Sequence, residues 1–254
     1  DKLVDLSDVP VVKEAFDGAN AGVTMDGKVY GIPFTQEGYG FIYNAAILNK
    51  AGINPDEITS YAKLEEAVKK LDAKKAELGL EAVFAVAGKE TWVTGLHFTN
   101  AALSPEFEIV YKACNAKKID FKYSECIKKL FDLQINYAKK PVNSVDYSTQ
   151  VEKLFSLGKV AFMQQGNWTL GAIKGIDEEL AANIGFLPMP IVGAKEDSIP
   201  VGIPMYWTVN STKDEKTQAA AKAFLNWMYT SEKGKDAIIN KFGFIPPFKG
   251  FDSP

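Results

Sequence analysis

Two tryptophans stand directly after short apolar runs that have the composition of buried strands. Trp168 follows Val160–Met163 and the break at Gly166, and Trp92 follows Ala82–Ala87. In open α/β sheets ligands bind outside the strand ends, so each indole is placed to offer a flat apolar ring to a ligand. The alternative is that Trp168 packs in the core, as most tryptophans do. Because the same arrangement occurs twice, we favour the ligand-binding interpretation for both residues.

The residue types that carry most catalysis and metal binding are scarce. The chain has one histidine, His97, set among apolar neighbours, and two cysteines, Cys114 and Cys126. This inventory is too small for a structural zinc site or for a Cys–His pair of ordinary spacing. We therefore predict no metal, no cofactor and no enzymatic activity. A disulfide between the cysteines and two separate thiols both remain open, because the sequence does not give their distance.

The composition is that of an ordinary globular protein. The 254 residues carry a net charge of −3, and all 29 basic residues are lysines. Without arginine, the chain lacks the side chain that best suits bidentate phosphate and base recognition. No basic stripe suggests nucleic acid, and no apolar run approaches the length that spans a membrane. The length allows one large domain or two small ones.

Helices and strands alternate along the chain, which predicts an α/β fold with a largely parallel sheet. Asp26-Gly27 predicts a hairpin with a type I′ turn. Helices are predicted at 45–51, 60–78, 93–103, 124–138, 149–157, 215–229 and 232–241. The predicted N-caps are Asn44, Ser60, Ser124 and Thr149, and Gly52 is predicted to end the first of these helices. Among the predicted inward residues are Phe131 and Phe224. The strand at 201–210 is interrupted by Gly and Pro, which suits a crossing between lobes.

Several segments together resemble one protein family. They are DGKVYGIPFTQEGYGFIYNAAIL, KETW, YSTQVEKLFSLGKVAFMQQGNW, VGIPMYWTVN, and AKAFLNWMYTSEKGKDAI followed by GFIPP. Their order is that of the family 1 extracellular solute-binding proteins, the sugar-binding components of bacterial ABC importers related to maltose-binding protein. Each segment is weak alone, but they are spread over nearly the whole chain.

The resemblance implies the periplasmic-binding-protein-like fold of type II, with two α/β lobes and a ligand cleft between them. The family's opening and closing segments are not matched, so we expect a chain truncated at both ends relative to the family. Residues 39–206 and 241–254 then represent the second lobe, and residues 1–38 and 207–240 are remnants of the first.

The resemblance also implies roles for particular residues. Trp168 is the ring on which a sugar stacks, and Trp92 and Tyr206 are similar candidates. The hydroxyl rim of a sugar needs carboxylate or amide partners. The candidates for these hydrogen bonds are Gln36, Glu37, Glu90, Gln165 and Asn167.

The implied function is extracellular binding of a mono- or oligosaccharide for delivery to the membrane permease of an ABC importer. The implied location is the cell surface, as a lipoprotein, or the periplasm, and we expect a monomer. A second reading keeps the scaffold but gives it a peptide, a polyamine or another small solute, since fold does not set the ligand. A third casts Glu37 and Glu90 as the carboxylate pair of a glycoside-processing enzyme.

Overall fold

A computed structural model describes residues 2–108, 110–194 and 196–251. The chain divides into two compact units. The first unit is made of the residues up to Glu37 and those from Val201 onward, and the second unit is Gly38–Pro200. No helix in the described ranges is long and apolar enough to cross a membrane.

The strands of both units are short, whereas the helices vary in length. The strands are β1 Thr24–Met25, β2 Lys28–Val29, β3 Ile32–Pro33, β4 Glu37–Asn44, β5 Phe84–Ala85, β6 Phe162–Gly166, β7 Ile184–Leu187, β8 Val201–Gly202 and β9 Tyr206–Trp207. The α-helices are α1 Ala45–Ala51, α2 Tyr61–Ala73, α3 Phe98–Phe107, α4 Val110–Asn115, α5 Ser124–Asn136, α6 Leu170–Ile176, α7 Glu178–Ala181, α8 Glu215–Thr230 and α9 Glu232–Asp236. Segments of π-helix cover Trp92–His97, Thr149–Phe155 and Ala237–Lys241.

The sheet of the second unit has the strand order β5-β6-β4-β7. β4 pairs antiparallel with β6 on one side and with β7 on the other, whereas β5 and β6 pair in parallel. The prediction of a largely parallel sheet is therefore wrong, although the mixed α/β class is confirmed. Alternation of helices and strands did not reveal that β4 enters the middle of the sheet in the opposite direction.

Two apolar cores cover the two faces of this sheet. Successive side chains of β6 point to opposite faces, so Phe162 packs in one core and Met163 in the other. The first core contains α2 and α5, through Leu71 and Leu130 among others. The second contains the π-helix Thr149–Phe155. β6 is thus covered on both sides, and all of its residues through Gly166 are buried.

The predicted starts and stops of the early elements are mostly confirmed. Asn44 caps α1 by accepting a hydrogen bond from the Ile47 amide, and Gly52 ends it with φ of 67°. In the hairpin, Asp26 and Gly27 both have positive φ, 50° and 75°, as a type I′ turn requires. Ser60 caps α2, but this helix ends at Ala73 rather than continuing to residue 78.

Two predicted helix caps and one predicted inward residue are wrong. Tyr123 occupies the N-cap position of α5, so Ser124 is already helical. Asp146, not Thr149, caps the helical segment that leads to Phe155, because its Oδ1 accepts from the Thr149 amide at 2.9 Å. Phe131 is 37% exposed, since the buried stripe of α5 runs through Leu130, Leu133 and Gln134.

The first unit is built around one core of Leu6, Ile32, Val209, Leu225, Tyr229, Ile238 and Phe248. Residues 241–254 were expected in the second lobe, but the described part of this tail belongs to the first unit. Phe248 packs against Tyr229 at 4.7 Å between ring centroids. The backbone N–H of Gln36 donates to the backbone carbonyl of Ile245 at 2.7 Å. Residues 201–206 also belong to this unit.

The long helix α8 buries less than its pattern predicts. Leu225 and Tyr229 are its buried residues, whereas Phe224, predicted to point inward, is 57% exposed. Phe224 stacks on Trp227 with ring centroids 5.9 Å apart. The sequence contains two apolar stripes on this helix, and only one of them faces the core.

Candidate functional site

Five aromatic rings of the second unit are grouped at the end of β6. They belong to Tyr39, Trp92, His97, Tyr147 and Trp168, and we call them the aromatic cluster. The Trp92 and Trp168 centroids are 6.1 Å apart, and the His97 ring is 5.3 Å from Trp168. His97 also stacks on Tyr39 at 4.3 Å, and Tyr147 lies 5.9 Å from Trp92. All five residues are partly exposed.

Trp168 is placed by a turn that directly continues β6. The strand ends at Gly166, and a 3₁₀ turn covers Asn167–Thr169. Buried Thr169 fastens the turn, because its hydroxyl donates to the Gly166 carbonyl at 2.8 Å. A Cβ at Gly166 would lie 2.0 Å from Cζ3 of the Trp168 ring. Gly166 is therefore required for the close approach of the indole to the strand.

Trp92 is placed by the π-helix that it begins. In an α-helix residues five apart are rotated by about 140°, but a π-helix bonds i to i+5 and brings them onto one face. Trp92 and His97, five residues apart, are in contact, with centroids 5.5 Å apart and ring planes at 82°. This helical form therefore brings His97 into the aromatic cluster.

Glu90 orients the Trp92 ring through a hydrogen bond to its indole nitrogen. Its Oε2 accepts from the Trp92 indole Nε1 at 2.9 Å, and its Oε1 accepts from the Tyr147 amide at 3.1 Å. One carboxylate thus links two members of the aromatic cluster. Its remaining lone pairs could accept from a ligand hydroxyl, so a ligand contact of Glu90 stays a prediction.

The side-chain amides of Gln165 and Asn167, both predicted to bind a ligand, make hydrogen bonds within the protein in this structure. Gln165 is 1% exposed, and its Oε1 accepts from the Trp168 indole Nε1 at 3.0 Å. It is therefore positioned behind Trp168 rather than at the surface. Asn167 is partly exposed, and its Oδ1 accepts from the Gly38 amide at 2.9 Å.

Burial shifts the pKa values of the titratable rings. It raises the pKa of the Tyr39 hydroxyl to about 12. Burial also raises the pKa of Tyr147, and the negative charge of Glu152 raises it further. Burial lowers the pKa of His97. At neutral pH the aromatic cluster therefore carries no charge on its rings, which suits contact with an uncharged ligand.

His97 is expected to make the stability of the protein depend on pH. Burial lowers its pKa in the folded state below the ordinary value of 6.5, so the unfolded chain binds the proton more readily. The free energy of unfolding should therefore decrease as the pH falls through about 6.5 toward the lower folded pKa. The measurement is urea unfolding at about pH 7.5 and about pH 5.5.

His97→Phe provides the matched control, because it keeps a ring against Tyr39 and removes the titration. The chain has only this histidine, so the difference between wild type and variant reports its proton alone. Other titrating groups, such as Glu37, contribute equally to both proteins. Equal loss of stability in the two proteins between these pH values would contradict the expectation.

A family model described as bacterial extracellular solute-binding protein matches residues 1–254. The chain belongs to this family. The resemblance drawn from the sequence segments is thereby confirmed, and the family is one of binding proteins, not of enzymes.

Related proteins and solved structures agree with this membership. The chain is 28% identical over 218 residues to the melibiose/raffinose/stachyose-binding protein MelE of Bacillus subtilis (strain 168). The aligned region covers 80% of this chain and 47% of MelE. Its fold is similar to a chitin oligosaccharide binding protein, with TM-score 0.78, 22% identity, and coverage of 99% of this chain and 63% of that one. For RafE in complex with raffinose the TM-score is 0.74, with 22% identity and coverage of 100% and 65%. This confirms the periplasmic-binding-protein-like fold, while the chain spans about half the length of MelE.

The remaining predicted site residues of the solute-binding protein lie in its first unit. Tyr206 is partly exposed, and its hydroxyl donates to the Ala19 carbonyl at 3.0 Å. Gln36 and Glu37 are also partly exposed, and burial raises the pKa of the Glu37 carboxyl. The first unit thus holds these three candidates, and the second unit holds the aromatic cluster with Glu90, Gln165 and Asn167.

Three members of the aromatic cluster were not among the residues predicted to bind a ligand. Tyr39 lies between Gly38 and Gly40, a pattern that does not indicate a ligand site, and the apolar neighbours of His97 indicate packing. Nothing in the sequence around Tyr147 indicates a ligand site. The contact of Trp92 with His97 could have been found only by anticipating a π-helix, which sequence periodicity does not distinguish from an α-helix.

Cys126 of the solute-binding protein is a free thiol. Its Sγ donates to the Val192 carbonyl at 3.3 Å. This corresponds to the alternative of separate thiols. The side chain of Cys114 lies outside the described part of the structure.

A cavity of about 460 Å³ lies elsewhere in the second unit. It is lined by Gly88, Thr94, Phe131, Ile135, Lys140, Pro141, Val142 and Asn143. None of the residues predicted to bind a ligand lines it. Among the described residues, no group of His, Cys, Asp or Glu could hold a metal ion.

Proposed function

We propose that the aromatic cluster binds a mono- or oligosaccharide, and that the protein delivers this sugar from outside the cell to an ABC importer. The observation that carries the proposal is the pair of partly exposed indoles, Trp92 and Trp168, held 6.1 Å apart. Each indole N–H is bonded inside the protein, so the surfaces left for a ligand are the ring faces.

The ring faces match one side of a sugar. A pyranose has an apolar face formed by its C–H groups, and aromatic rings bind such surfaces. Covering about 100 Å² of one indole contributes on the order of 2.5 kcal/mol, and two indoles contribute about twice that. Micromolar affinity corresponds to about 8 kcal/mol, and association itself has an entropic cost. Hydrogen bonds must therefore supply a large part of the affinity.

Polar candidates for these hydrogen bonds are present in both units. Glu90 and Asn167 are partly exposed in the second unit, and Gln36 and Glu37 are partly exposed in the first. We propose that the second unit corresponds to the second lobe of the family, and that Gln36, Glu37 and Tyr206 of the first unit also contact the sugar. Gln165 contributes through Trp168.

The names of relatives support a saccharide as the ligand. MelE is a melibiose/raffinose/stachyose-binding protein, and RafE was solved with raffinose. Another similar structure is that of a manno-oligosaccharide specific protein in complex with mannotriose. By extension we propose that this protein is a monomer, that it acts with a membrane permease, and that it is held at the cell surface as a lipoprotein or resides in the periplasm.

Binding of a saccharide can be tested with a panel of purified sugars. The panel contains melibiose, raffinose, stachyose, mannotriose and chitin oligosaccharides, with spermidine and a short peptide as non-sugar solutes. We expect a sugar to raise the melting temperature and to give a saturable calorimetric titration. Product analysis after long incubation should recover each sugar unchanged. Stabilisation by spermidine or the peptide alone, or hydrolysis of a sugar, would contradict the proposal.

A further inference from the structure

We infer that two pairs of buried glutamines, placed on opposite faces of β6, set the positions of the two indoles. Gln165 pairs with Gln150, and Gln164 pairs with Gln134. All four side chains are buried, with at most 4% exposed. The importance of this arrangement for ligand binding rests on the proposed function, but the arrangement itself does not.

The first pair connects Trp168 to a backbone carbonyl on the neighbouring strand. The Trp168 indole Nε1 donates to Gln165 Oε1 at 3.0 Å, and Gln165 Nε2 donates to Gln150 Oε1 at 2.7 Å. Gln150 Nε2 then donates to the Ala85 carbonyl at 2.9 Å. The indole is thus joined through two amides to β5.

The direction of this chain of hydrogen bonds is fixed at both ends. An indole N–H can only donate and a backbone carbonyl can only accept, while a glutamine amide does both. Gln165 must therefore turn its oxygen toward Trp168, and Gln150 must turn its nitrogen toward Ala85. Neither amide can flip without leaving a buried polar atom unpaired, which is costly. One orientation of the Trp168 ring is therefore selected.

The second pair holds the segment that carries Trp92. Gln164 Nε2 donates to the Val93 carbonyl at 3.0 Å, and Gln134 Nε2 donates to Gln164 Oε1 at 3.2 Å. Val93 is the residue after Trp92 in the π-helix. Because Gln164 and Gln165 are adjacent on β6, one strand positions both indoles from opposite faces of the sheet.

This arrangement assigns Gln165 and Gln150 as positioning residues for Trp168. The indole proton is used inside the protein, so Trp168 offers a ligand its ring face and no donor. A stacking surface requires a defined ring plane, because attraction falls off steeply once the faces separate or tilt. Loss of the amide chain should leave Trp168 in place but free to tilt.

Exchange of the indole protons with solvent tests the inference without any ligand. We expect the Trp168 indole proton in the wild-type protein to exchange at least about tenfold more slowly than that of exposed Trp227, as followed by ¹H–¹⁵N NMR. Gln165→Met removes both hydrogen bonds at similar volume, and we expect exchange at Trp168 to accelerate about tenfold and oligosaccharide affinity to fall about fivefold to tenfold. Gln134→Met removes a buried amide of the second pair, which is not part of the hydrogen bonds that join Trp168 to Ala85. It should leave exchange at Trp168 unchanged.

The outcomes separate this inference from the proposed function. Exchange at Trp168 as fast as at Trp227 in the wild-type protein would overturn the inference, even if Gln165→Met did not fold. Unchanged exchange in a folded Gln165→Met protein would overturn it as well. If exchange behaves as expected but no sugar of the panel binds the wild-type protein, the proposed function fails and the positioning role stands.

Discussion

Replacing Trp168 by alanine is expected to weaken saccharide binding by roughly 100-fold while the protein remains folded. The loss of about 100 Å² of stacking surface corresponds to a loss of binding free energy on the order of 2.5 kcal/mol. The neighbouring rings of Trp92 and His97 also lose a packing partner. Trp168 is only partly buried, so its removal should cost less stability than removal of a core residue. Calorimetric titration and urea unfolding of the same sample measure both effects.

Trp227→Ala is the matched control for this variant. Trp227 is a tryptophan of the first unit with 45% of its surface exposed, and it lies outside the aromatic cluster. Its replacement should leave the affinity within about twofold of the wild-type value. Equal affinities of the Trp168→Ala and wild-type proteins would contradict the proposed role. Unfolding of Trp168→Ala would instead support the interpretation of Trp168 as a core residue.

Gly166→Ala is expected to have a large effect for one added methyl group. The new Cβ would lie 2.0 Å from Cζ3 and 2.3 Å from Cη2 of the Trp168 ring, far inside contact distance. The indole must therefore move away from β6, which would break its hydrogen bond to Gln165. We expect a loss of about 1–3 kcal/mol in the free energy of unfolding and at least a tenfold loss of affinity. Urea unfolding and calorimetry measure these changes.

The same substitution at Gly171 should behave differently. Gly171 lies in α6, and a Cβ there would have no atom within 4 Å. Alanine is a better helix former than glycine, so Gly171→Ala should be neutral or stabilise by up to about 1 kcal/mol. If Gly166→Ala matched Gly171→Ala in stability and affinity, close approach of the indole to Gly166 would not be what positions Trp168.

Local sequence signals predicted much of the secondary structure. Asn44, Gly52, Ser60 and the Asp26-Gly27 turn act through neighbouring backbone groups, so their effects can be recognised within a few residues. Segment order indicated the family, and through it the fold. These signals did not reveal the direction of β4, because strand pairing depends on residues more than 100 positions apart, as in the pairing of Tyr39 with Gly166.

The candidate site could be predicted only in part for a similar reason. Trp92 and Trp168 were recognised because each follows a buried strand. The glutamines of β6 appear polar in sequence, and only the structure shows that Gln164 and Gln165 are buried and bonded to different partners. A buried amide is stable only when its partners are in place, and these partners come from distant segments. Contacts between ligand and the first-unit residues stay a prediction.

An NMR titration of the wild-type protein with the sugar panel shows directly whether the aromatic cluster binds sugar. The four indole N–H signals, once assigned by single substitutions, report separately on Trp92, Trp168, Trp207 and Trp227. We expect a binding sugar to shift the Trp92 and Trp168 signals saturably and to leave that of Trp227 unchanged. A sugar that binds with calorimetric saturation but shifts neither Trp92 nor Trp168 would show that the aromatic cluster is not the binding surface.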